Sequence, residues 1–202
     1  FFTKISNLFK TLKYIFSMAL ISFQEILELI IMTLVIGYIF TGLFKFKIKT
    51  AHDYMRPSGF DWQEFKFAVL VAAPAIVLHE LGHKFVAMAY GYSAEFHMFT
   101  FGLALGVILK LISAPFIIIA PGFVSIPAVS SDLIYRLIAF AGPFVNLVLW
   151  IGSMLILKFA KNLPRTNMIF LAATKKLNMI LFFFNMIPFG PLDGAKVLFG
   201  MG

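Results

Sequence analysis

Four stretches of this chain, about 22–44, 65–89, 132–158 and 168–187, are each apolar over a length that can cross a lipid bilayer. A hydrocarbon core of roughly 30 Å takes about 20 helical residues. Inside lipid the backbone must satisfy its own hydrogen bonds, so segments of this length are helices. Composition agrees: 61% of the residues are apolar and 13% charged, against about half and about a quarter in soluble domains. The expected fold is therefore an all-α integral membrane protein, a polytopic bundle of about four spans. It is expected to be a multi-pass protein of the cell membrane.

The formal charge of +8 would suit nucleic acid in a soluble protein. Here Lys45, Lys47, Lys49, Lys158, Lys161 and Arg165 gather at segment ends, where they anchor helices and meet lipid headgroups. The bilayer, not nucleic acid, is the expected partner. No cysteine is present, so a metal would be held by nitrogen and oxygen donors. Residues 1–21 carry Lys4, Lys10 and Lys13 among Phe, Leu and Ile, the pattern of an interfacial helix ahead of a membrane domain over 22–202. Ser22 and Glu25 have capping-box spacing and start the first span. Glu25 and Glu28 then favour the positive end of that helix.

Residues 96–128 are apolar but broken by Gly102, Gly106, Lys110, Pro115, Pro121, Gly122 and Pro127. Such breakers suit a re-entrant hairpin better than a straight span. Ser130, Ser131 and Asp132 then cap the third span. Lys175, Lys176 and Asn178 lie along the fourth, so at least one of its faces meets protein or water, and Lys175 and Asn178 could line a water route.

Within the second span stands "HELGH", residues 79–83. His79 and His83 project from one helix face about 6 Å apart, a spacing that suits two ligands of a tetrahedral metal. Glu80 is placed to act as a base beside that Lewis acid. Ionisable groups are costly at membrane depth and persist there mostly for function. A third ligand has three candidates. His52 and His97 lie in or beside loops, while Asp193 stands among prolines and glycine just after the last span. An Asp-Gly pair is also an ordinary turn. Asn146 and Asn185 either bond neighbouring backbone or donate to a substrate carbonyl.

"HELGH", "AGPFVN" (141–146) and "NMIPFGPLDG" (185–194), in that order, resemble the site-2 protease family of intramembrane zinc metalloproteases. The sequence "HELGHKFVAMAYGYSAEF" is similar to the archaeal branch of that family. The resemblance covers about 65–200, which would be the zinc core. It implies one zinc per chain held by His79, His83 and Asp193, with Glu80 as catalytic base. It also implies that Asn146 assists catalysis at the substrate or oxyanion, and that Asn185 faces substrate or supports its own motif. The implied activity is hydrolysis of peptide bonds in or near transmembrane segments of membrane proteins. Two alternatives use the same residues: a zinc or cation transporter, and an inactive protease-like protein that holds membrane segments without cutting them. A transporter would want carboxylates spread over several spans, and the third and fourth have few.

Sharing one metal also constrains topology. His83 lies toward the end of the second span and Asp193 just beyond the fourth, so both must reach the same depth. The third and fourth spans make two crossings, so 96–128 must make an even number. A re-entrant hairpin does so.

Overall fold

A computed structural model describes residues 21–44, 59–114 and 120–200. Residues 1–20 of the expected interfacial helix over 1–21, and most of the loop carrying His52, lie outside the described residues. Four described helices are long and apolar enough to span a membrane: α1 (Phe23–Phe40), α2 (Trp62–Ala89), α4 (Asp132–Phe159) and α5 (Arg165–Asn185). Between α2 and α4 come β1 (Glu95–Met98), α3 (Thr100–Leu111) and β2 (Gly122–Ser125), and α6 (Asp193–Phe199) follows α5. The all-α polytopic architecture read from the sequence is the one observed.

Local chemistry sets the helix ends. The Ser22 hydroxyl accepts from the Glu25 amide at 3.2 Å, and the Glu25 carboxylate accepts from the Ser22 amide at 2.7 Å. This reciprocal box satisfies two of the amides that open α1. Asp61 caps α2 by accepting from the amides of Gln63 and Glu64. That helix therefore begins at Trp62, a turn earlier than its apolar run. It passes through Pro74 and stops at Tyr90, where Gly91 turns the chain with φ +83°, a conformation glycine adopts without strain. Pro164 stands immediately before α5 and lets that helix start three residues ahead of the expected 168.

The segment over 96–128 enters and leaves at one depth. β1 and β2 pair antiparallel, with Glu95 opposite Ser125 and Met98 opposite Gly122. Between them, α3 has 12 residues, about 18 Å of helix, too short to cross. It runs alongside α1 from near one end to the other. The Met98 amide donates to Glu28 at 2.7 Å, and the Lys110 ammonium donates to the carbonyls of Ile39 and Thr41 at 3.1 and 2.5 Å. Gly102 lies so close to the returning chain that a Cβ there would stand 2.0 Å from the Ala120 carbonyl oxygen. The hairpin is thus a two-stranded stem carrying a helical arm, and its paired ends give an even number of crossings.

The main core joins Met32 and Ile36 of α1 to Phe67, Val71, Ala72, Ala75 and Ile76 of α2, with Phe96, Leu103 and Leu177 closing it. Close approach explains its density. A Cβ on Gly37 would fall 2.2 Å from a methyl of Val69, so glycine lets α1 lie directly on α2. A second cluster, Ala87, Ala94, Val129 and Ile138, packs the other end of α2 against the stem and α4.

Candidate metal centre

His79 and His83 stand one turn apart on α2, and their Nε2 atoms are 3.2 Å from each other. Asp193, the first residue of α6, brings its Oδ2 to 3.1 Å from His79 Nε2 and 3.2 Å from His83 Nε2. All three residues are buried. Two distant parts of the chain, a mid-span turn of α2 and the short helix after α5, therefore supply one triangle of donor atoms.

Hydrogen bonds fix what those atoms carry. The Ile138 carbonyl lies 2.7 Å from His83 Nδ1; a carbonyl only accepts, so the proton sits on Nδ1 and Nε2 keeps its lone pair. For His79 the assignment runs through a longer relay. The Asn178 amide nitrogen donates to Thr174 O at 2.8 Å, so its oxygen faces Asn146. The Asn146 amide nitrogen donates to Asn178 Oδ1 and to Ala75 O, both at 2.9 Å. The Asn146 oxygen, 2.7 Å from His79 Nδ1, is left to accept from that ring. Both histidines thus aim unprotonated Nε2 atoms at a carboxylate oxygen.

Three lone-pair donors at this separation repel one another unless a cation lies among them. The edges, 3.1, 3.2 and 3.2 Å, approach the roughly 3.3 Å between tetrahedral ligands of zinc at about 2.0–2.1 Å. Donor set and spacing both fit such an ion. Asp193 completes the set as an oxygen donor, which binds a metal in its carboxylate form. Its other oxygen lies 3.5 Å from the Lys196 ammonium.

Space at the triangle depends on Gly142. A Cβ there would stand 2.3 Å from His83 Nε2 and 2.7 Å from His79 Nε2. Asp193 is held from its far side: Arg136 of α4 donates to the carbonyls of Val197 and Leu198 at 2.9 and 2.6 Å, tying down the C-terminal end of α6.

Glu80 is buried beside His79, and its side chain makes no hydrogen bond or ion pair among the described residues. Asn146 is fully buried, and its side chain bonds His79, Ala75 and Asn178. Asn178 is buried in the same relay. Asn185, half-buried at the end of α5, makes no side-chain hydrogen bond among the described residues and is not part of the triangle. His97 lies on β1, 4.0 Å from Glu95, and does not join the cluster; His52 lies outside the described residues.

A buried ion pair escaped the sequence reading. Lys84, next to His83, is buried and donates to Glu25, which also accepts from the Phe96 amide at 2.7 Å. Glu25 therefore binds α1, α2 and β1 at one point, beyond capping its own helix. A lysine inside an apolar span with an acid near the start of the preceding one was the available signal.

Comparison with known proteins adds two relatives. The chain is 32% identical over 183 residues to "Putative zinc metalloprotease MJ0611" of Methanocaldococcus jannaschii, covering 87% of this chain and 83% of that protein. It is 31% identical over 141 residues to "Putative zinc metalloprotease sll0528" of Synechocystis, covering 69% of this chain and 32% of that protein. No family model and no solved structure matches the chain.

Proposed function

The chain belongs to a zinc metalloprotease family, and on that premise we propose that it is an intramembrane endopeptidase of the site-2 type. It would be a multi-pass protein of the cell membrane, cutting peptide bonds in or near transmembrane helices of other membrane proteins. The observation that carries this reading is the burial of His79, His83 and Asp193 as one donor triangle among helices long enough to span a bilayer.

His79, His83 and Asp193 would hold one zinc per chain. When bound, zinc is a Lewis acid that polarises a carbonyl and makes water more acidic. The remaining work falls to the protein. Glu80, uncommitted to other side chains, takes a proton from the attacking water and returns it to the leaving amine. Asn146 and Asn178 keep His79 in the tautomer that points Nε2 at the site, and the Ile138 carbonyl does the same for His83. The low-dielectric surround strengthens each of these interactions. Asn185, with its side chain uncommitted, is the residue we assign to the substrate. A transmembrane helix must unwind locally to offer its carbonyl, because an intact helix shields it.

The test is incubation of the purified, reconstituted protein with a labelled transmembrane peptide, with and without a zinc chelator. Cleavage that stops on chelation and returns with added zinc supports the reading. Cleavage indifferent to the chelator removes it.

A further inference from the structure

α5 carries charge where a membrane helix can least support it. The helix has 21 residues, about 32 Å, which is close to the hydrocarbon thickness itself. Lys176 lies roughly 15 Å from either end, farther than a lysine side chain of about 6 Å can snorkel. It is exposed, on a helix far less buried than α2. The opposite face of α5 holds Leu177 and Asn178 in the protein interior. Lys176 shares its outward face with Ile180 and Phe183, 49% and 57% exposed, at i+4 and i+7.

Nothing among the described residues neutralises this cation. Of the eight acids described, Glu80 and Asp193 lie at the metal centre, and the others stand in the first two turns of α1, at the cap or first turn of α2, on β1, or at the start of α4. Among the described residues Lys176 has no ion-pair partner. A second copy does not serve either, since two α5 faces related by a two-fold axis would set Lys176 against Lys176. A lipid phosphate would have to sink half the bilayer to reach it. Intramembrane cations are retained when something pairs with them.

We propose that the outward face of α5, centred on Lys176, docks a transmembrane helix that carries an aspartate or glutamate near its midpoint. Ile180 and Phe183 supply apolar contact one and two turns along, and the buried pair supplies selectivity. The face points away from the metal centre, so docking does not depend on the proposed protease activity.

The experiment places donor-labelled protein in neutral phosphatidylcholine vesicles with acceptor-labelled synthetic transmembrane peptides. These carry Glu, Gln or Leu at a central position in an otherwise identical apolar sequence. The Glu peptide is expected to associate roughly five- to twentyfold more tightly than the Leu peptide, the range of a polar contact between membrane helices. Lys176→Leu should erase that difference, and Lys176→Glu should shift preference to a Lys-bearing peptide. Equal association of Glu and Leu peptides, or a preference that survives Lys176→Leu, overturns the proposal. So does loss of the preference on adding phosphatidylglycerol, which would make lipid the occupant, or energy transfer between protein copies that Lys176→Leu abolishes.

Discussion

Gly142 and Asn178 carry consequences that their side chains alone would not suggest. A methyl group at position 142 would lie inside the donor triangle, so Gly142→Ala should yield folded protein with little or no zinc, read by elemental analysis of the purified chain. Asn178 acts through Asn146 on His79. Asn178→Leu should weaken zinc affinity about 10- to 100-fold, the usual cost of losing an outer partner. If a competition titration finds affinity unchanged, the relay is not what holds the ring. Glu80→Gln separates chemistry from binding. It should keep its zinc and lose about 10²–10⁴ in cleavage rate or more, since it removes the base and preserves shape. At this scale the HELGH spacing was legible, because two residues a turn apart share a face by local geometry. The roles of Asn146 and Asn178 were not, because they depend on which faces of α2, α4 and α5 meet.

Among the elements, α1 is more than an anchor. Its capping residue Glu25 also holds Lys84 and the Phe96 amide, joining the metal-bearing end of α2 to the re-entrant stem. Removing one partner strands the other as a buried charge, which costs about 3–5 kcal/mol, whereas replacing both with apolar residues is often near neutral. Glu25→Gln should therefore lower resistance to denaturation sharply. The double variant Glu25→Gln with Lys84→Met should recover most of it. Equal losses in the single and double variants would mean the pair is not coupled as described. Breaker residues and parity were enough to predict that 96–128 turns back on itself. They could not reveal that its stem is a β pair, since four-residue strands carry too short a pattern to separate from apolar coil. The Ser22–Glu25 capping box, and the Ser131 hydroxyl that caps α4 by accepting from the Ile134 amide, were legible because they are local.

At the scale of the whole molecule, the donor triangle lies well inside the length of the apolar helices. His79 lies about 15 Å from the end of α2 at Ala89, and Asn178, which reaches it through Asn146, about 10 Å from the end of α5 at Asn185. Four spans, three of them supplying ligands or their supports, were readable from apolar length alone. The convergence of α6 on α2 was expected only through the family resemblance, because no local pattern joins residues 114 positions apart. The most direct measurement is the position of the cut. Reconstituted protein is given a transmembrane substrate with isotopically distinct flanks, and the products are mapped by mass spectrometry with and without chelator. The account predicts chelator-sensitive cleavage at a bond inside the apolar segment, roughly two to three helical turns from one of its ends. Cleavage confined to the polar flanks, or an internal cut that persists in Glu80→Gln, would contradict it.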